Sequence, residues 1–174
     1  MFPAGLGFSG LVWLACASLA HAEPASPDYC YPQRLLAIHG IQYRQDAAAA
    51  RRALGKPDNI QRLTVPGTAG AFQVDRWRYP GLQLDVKAST REVETLVATG
   101  PASAMPNGVR VGMPIAEVSR RLGVDVGGML SPELRWTPAL CERGPHDWIF
   151  VGPIFTFARD AKQVRLRSIR IQRI

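Results

Sequence analysis

Two histidines, His39 and His146, stand beyond the first 22 residues, and they set what acid–base chemistry the rest of the chain offers. Such chemistry needs a base within hydrogen-bond reach of a nucleophile or a reacting proton. His146 sits in Cys141-Glu142-Arg143-Gly144-Pro145-His146-Asp147, where Glu142 or Asp147 can pair with it. His39 lies beside Gly40 at a turn and reads as a surface or packing residue. Spacing leaves a Ser-His-Asp grouping open, because triads recur in any chain order. No G-x-S-x-G elbow, Gly-rich phosphate loop or H-E-x-x-H run appears. Cys141, Glu142, His146 and Asp147 would make a metal cluster, but no second His stands at ligand spacing. The chain is therefore expected to have no catalytic residues, no metal and no cofactor, and to act by binding.

The elements that position these residues begin after a leader. Leu6 to Ala20 is an uncharged run of apolar and small residues, too short to span a bilayer comfortably. It closes on Ala20-His21-Ala22, an A-x-A cleavage pattern, so residues 1–22 are expected to be a secretory signal and the protein periplasmic or secreted. No Lys or Arg precedes that run, which leaves the true start codon open. Cys16 offers the alternative of a lipoprotein, although Trp13-Leu14-Ala15 fits such a site poorly.

About 150 residues remain, enough for one well-buried domain. The exported part keeps Cys30 and Cys141, and two cysteines in an oxidising compartment point to a disulfide. Closing that loop of about 110 residues would contribute roughly 4 kcal/mol on the chain-entropy account. Net charge is +7, and 18 of the 21 basic residues are Arg, scattered rather than bunched. A solvated surface explains that pattern, and so does an anionic partner such as a lipid, a glycan or an acidic protein face. Nucleic acid is not expected, since no recognition motif is present.

Organisation follows from a gapless self-match. Gly40-Ile41-Gln42-Tyr43 through Leu54-Gly55 aligns with Gly108-Val109-Arg110-Val111 through Leu122-Gly123. Shifted by three residues, Trp77 falls on Trp148, Tyr79 on Phe150, Leu84 on Phe155, Val86 on Phe157 and Val93 on Val164. Such a period predicts two copies of one supersecondary unit. The expected fold is α+β: two tandem copies of a short helix followed by an antiparallel meander, with both helices on one face of a curved sheet. Repeat one spans 35–100 after an extension at 23–34; a linker covers 101–107, and repeat two spans 108–174.

Asp46 is a good N-cap for a helix from Ala47, with Gly55 and Pro57 as its stop. Pro114 suits a first helical position, and Ile115, Val118 and Leu122 make an apolar stripe ended by Gly123. Residues 61–65, 72–79, 82–86 and 93–97 read as strands of the first copy. A phase slip at Asp75-Arg76 suggests a bulge. Residues 134–136, 147–151, 154–158 and 164–171 read as strands of the second, with another slip at Ser168.

Val109-Arg110-Val111-Gly112-Met113-Pro114, Glu117-Val118 and Leu122-Gly123 together resemble the helix signature of the SmpA/OmlA outer-membrane assembly lipoproteins. The same unit occurs in tandem in beta-lactamase-inhibitory-protein-like domains. Leu54-Gly55-Lys56-Pro57 is similar to the family's LG-x-P ending, and Arg76-Trp77-Arg78-Tyr79 to the W-x-Y strand after it. The resemblance implies helix on antiparallel sheet, and a protein that binds other proteins without chemistry of its own. The expected function is an exported protein-binding module of the bacterial envelope. The alternatives are a secreted inhibitor of a hydrolase, or a binder of anionic lipid or glycan.

Matching strand positions mark Trp77, Tyr79, Trp148, Phe150, Phe155 and Phe157 as core. On the other parity the first copy shows Arg76, Arg78, Gln83 and Asp85, and the second shows Ile149, Val151, Ile154 and Thr156. An apolar patch flanked by Arg76, Arg78, Arg165, Arg167 and Arg170 invites a partner. The competing expectation is that the linker, the 129–138 loop or a second copy covers it.

Overall fold

A computed structural model describes residues 30–67, 70–140, 151–160 and 162–173. Short pieces come first: β1 (Cys30–Tyr31), β2 (Ala37–Ile38) and β3 (Ile41–Gln42). Helix α1 (Ala47–Leu54) leads into β4 (Asn59–Val65), β5 (Phe72–Tyr79), β6 (Leu82–Lys87) and β7 (Val93–Ala98). Helix α2 (Ile115–Leu122) precedes β8 (Arg135–Trp136), β9 (Ala139–Leu140), β10 (Val151–Arg159) and β11 (Val164–Arg173). Strands β4-β5-β6-β7-β11-β10-β8 form one seven-stranded sheet in that order, with every pairing antiparallel.

This architecture corrects the expected α+β fold of two tandem helix–meander units. The chain is mostly β, with two eight-residue helices beside a single continuous sheet. The halves contribute unequally: four strands of six to eight residues from the first, against two long strands and the two-residue β8 from the second. Where two strands were expected around Gly152-Pro153, β10 runs unbroken from Val151 to Arg159. Proline interrupts a ladder only where its nitrogen must donate. Among the described residues β8 pairs with only Phe155 and Thr156 of β10, which leaves Pro153 clear of that ladder. The self-match tracked a helix and the parity of buried strand positions, and a two-faced sheet imposes that parity on unrelated strands too. Trp148 and Phe150 lie outside the described residues.

Local chemistry explains both helices. The Asp46 carboxylate accepts from Ala49 N at 2.9 Å, and Gly55, at φ 80°, returns its N–H to the Arg51 carbonyl. Ala47 and Ala50 are buried beneath the helix. In α2, Val118 is buried while Ile115 and Leu122 pack partly against the core. Glu117 holds Arg120 and Arg121 one turn on.

Alternation along each strand sends one row inward. Trp77, Leu84, Leu96 and Ile171 stand opposite one another across four strands, and Ala98, Ile169 and Phe155 form the next row. All seven are buried. Trp136 stacks on Phe155 at 5.3 Å, and Tyr31 tilts against the same ring at 6.2 Å. The β5–β6 turn is fixed by backbone approach: a Cβ on Gly81 would stand 2.6 Å from Gly100 Cα, and Gly81 has φ +69°.

Leu96→Ala is expected to lower stability by about 2–5 kcal/mol, as a cavity-forming change in a filled row. Ile60→Ala, at a side chain 51% exposed on the outer strand, should change it by no more than about 0.5 kcal/mol. Chemical denaturation of the two variants checks both values.

Candidate functional site

The opposite parity builds a second face. Its first row reads Arg78, Gln83, Val97, Arg170 and Ile154 across β5, β6, β7, β11 and β10. The adjacent row is Arg76, Asp85, Thr95 and Gln172. Strand spacing makes the first row roughly 19 Å wide.

The expected patch is only partly brought together. Ile154 and Thr156 lie on this face, half-buried. Val151 does not: three positions from Ile154 in an unshifted stretch, it takes the other parity and packs against the core. Ile149 lies outside the described residues. The flanking arginines divide likewise. Arg78 is exposed and reaches Gln61 Oε1 at 3.5 Å. Arg170 donates to Gln172 Oε1 at 3.2 Å. Arg165 is occupied elsewhere, donating to the Gly112 carbonyl at 2.8 Å and pairing with Asp160 at 3.3 Å. Arg167 is the unpaired residue of a bulge, because Thr156 faces Ser168 while Phe157 faces Leu166. The slip expected at Ser168 therefore has this bulge as its cause.

No bulge forms at Asp75-Arg76, where β5 keeps register with both neighbours. The phase slip arises instead because β5 buries residues on both faces. Val74 is buried on the outer face beneath the β4–β5 hairpin, while Trp77 is buried in the core. Asp75 takes the core parity, between buried Val86 on β6 and Arg62 on β4. Arg62 meets it at 2.9 Å and Arg91 at 2.9 Å. The Arg62 hydrogen bond, followed by Arg91, holds the Asp75 carboxyl below its ordinary range against the opposing effect of burial.

Beside the β4–β5 hairpin a groove of about 710 Å³ opens. Val65, Pro66, Phe72 and Val74 line one wall. Arg76, Lys87, Arg170 and Arg173 bring four cations, and Asp85 and Glu94 bring two carboxylates. Arg76 and Asp85 form a two-pronged pair at 2.7 and 2.8 Å, which raises the arginine's pKa. Lys87 lies 3.7 Å from Glu94 and 5.3 Å from the centre of the Phe72 ring. Tyr43 donates to Glu94 at 3.4 Å, and burial first, then Glu94, pushes its phenol up to about 12. Sequence reasoning had not gathered Phe72, Val74, Lys87, Glu94 and Arg173 into a site. The one signal for them was the double parity of β5.

His39, at φ 54° next to Gly40, is exposed at the β2–β3 turn. His146 with Cys141, Glu142 and Asp147 lies outside the described residues, as do residues 1–22 with Cys16. Among the described residues no group of three or more His, Cys, Asp or Glu is placed to hold a metal ion. Among them, too, no helix is long and apolar enough to cross a membrane.

No family model matches the chain, and no curated protein matches it. One similar solved structure is that of the uncharacterized protein yfeY from Escherichia coli, at 6% identity and a TM-score of 0.48. The match covers 83% of this chain and 100% of that one. Neither fold nor function is argued from a likeness so distant.

Two titrations test this electrostatic description. Asp75 stabilises the fold above its unfolded pKa, and that contribution disappears as pH falls through its depressed folded value. The difference in melting temperature between wild type and Asp75→Asn should thus be full at neutral pH and shrink in acid. Tyr43 contributes below the ordinary tyrosine pKa of 10.0 and loses that contribution as pH rises through about 12. Ultraviolet difference titration should show a late phenol transition that Tyr43→Phe removes.

Proposed function

We propose that this protein is an exported, non-enzymatic binding module of the bacterial cell envelope that takes an acidic partner surface on its outer sheet face. The observation that carries the reading is the row from Arg78 to Ile154. It sets exposed Arg170 beside half-buried Ile154, with exposed Arg78 at the far end of the same row, on strands held in place by their neighbours. Protein interfaces favour Arg around an apolar centre, and a regular sheet presents it with little ordering cost. The signal-like segment closing on Ala20-His21-Ala22 supports export. The resemblance of 109–123 and 54–57 to the SmpA/OmlA helix signature supports an assembly role.

Export brings with it the disulfide proposed between Cys30 and Cys141. Cys30 stands opposite Ala139 in the parallel β1–β9 pair, two positions before Cys141 in the sequence. Peptide mapping without reductant should recover the two cysteines joined. Cys30→Ala should cost roughly 2–5 kcal/mol of stability.

The function is tested by Arg78→Glu combined with Ile154→Glu. Arg78 is exposed, and at half-buried Ile154 a glutamate would stand beside Arg170, so melting temperature should stay close to wild type. Capture of crosslinked partner from envelope extract should fall on the order of tenfold and weaken further with added salt. Undiminished capture by the folded double variant would mean that another surface binds.

A further inference from the structure

Sharing Arg170 with the row that faces a protein partner, the groove beside the β4–β5 hairpin has the makings of a small-molecule site. Its volume of about 710 Å³ falls within the roughly 300–1,000 Å³ usual for bound small ligands. Its charges do not cancel internally. Asp85 is taken by Arg76, and Glu94 by Lys87. Arg170 on the outer face remains, as does Arg173, which takes the opposite parity but lines the groove from the end of β11; among the described residues neither has a carboxylate partner. Two cations in a concave site raise the local concentration of anions, and a guanidinium matches carboxylate or phosphate through paired donors.

The facing wall is of the opposite character. Val65, Pro66, Phe72 and Val74 are apolar, and Val74 is buried to within 1%. The turn is packed on its own strand: a Cβ on Gly67 would stand 2.8 Å from the Phe72 ring.

We propose that this groove binds a single-chain anionic amphiphile, its carboxylate or phosphate head on Arg170 and Arg173 and its hydrocarbon tail along Phe72, Val65 and Pro66. Head and wall divide the recognition. The arginines select the charge, and the wall withdraws apolar surface from water at about 25 cal/mol per Å². Neither a short anion nor a neutral chain satisfies both.

Calorimetric titration of the purified mature protein, with ligands kept below their micelle thresholds, tests the assignment. Laurate and dodecyl phosphate should each bind one per protein, and their ratio shows which head is preferred. Dodecanol should bind at least about tenfold more weakly, and acetate should give no signal. Arg170→Gln with Arg173→Gln should weaken laurate about tenfold while leaving dodecanol unchanged. Val65→Asp should weaken both chains. Arg78→Glu, outside the groove, should leave laurate binding intact, so loss of protein capture and loss of amphiphile binding are read separately.

Equal binding of laurate and dodecanol would overturn the proposal, as would laurate binding that ignores the arginine pair. An oligoglutamate peptide that binds more tightly than laurate would replace the amphiphile with an acidic chain and defeat it as well. Association only with anionic vesicles, and not with monomeric laurate, would point to surface adsorption and also sink it. Should the double arginine variant melt early, the comparison of laurate, dodecanol and acetate on the wild-type protein decides alone.

Discussion

The pairing of β7 with β11 is the constraint on which the rest of this molecule depends. Thr95 to Ala98 meet Ile169 to Gln172 in antiparallel register, joining strands about seventy residues apart in the chain. That seam makes one sheet of what would otherwise be two small ones. It places Ile169 and Ile171 in the buried rows and, on the other side, Arg170 beside Val97 and Gln172 beside Thr95. Small sheets of three or four strands bury little surface alone, so continuity across the seam also builds the core. Every claim about the outer face, from the Arg78–Ile154 row to the groove, uses residues from both sides of it.

The two faces manage charge differently. Inward-facing Asp75 is surrounded by strand neighbours, and two arginines from the strand edge and a turn must reach it. On the outer face, Asp85 is held by the cross-strand neighbour Arg76 and touched by Gln83 at 3.4 Å. Both carboxylates are buried polar groups with partners, as an interior of low dielectric requires. Arg170 and Arg173 differ in having no such counter-charge among the described residues. Chemistry left unmatched by the fold is the natural place for a ligand to complete it.

Much of the local structure was legible. Asp46, with the glycines after Leu54 and Leu122, marks both helices, and the Ile115, Val118, Leu122 stripe gives the buried side of the second. Alternation located the long strands and the aromatic core positions Trp77, Phe155 and Phe157. The candidate site was less legible. Val151 and Ile154 were assigned to one face because a break was expected at Gly152-Pro153; β10 passes through, so counting residues puts them on opposite faces. The double parity of β5 was visible, but the groove beside Val74 was not, because its lining comes from strands as distant in sequence as β5 and β11.

What the residues determined by themselves is local: caps, stops, periods, and a strongly basic, Arg-rich composition. These follow from backbone preferences and from hydrogen bonds a few positions apart, which each segment carries with it. The order of strands, the central place of the last one, and the joining of Val65, Phe72, Lys87, Arg170 and Arg173 around one groove were decided only in three dimensions. Backbone ladders join any two extended segments, and side-chain identity enters mainly through which parity is buried. Adjacency is therefore set by the packing of the whole sheet, and the groove exists only because that packing brings the β4–β5 hairpin and the end of β11 to one place.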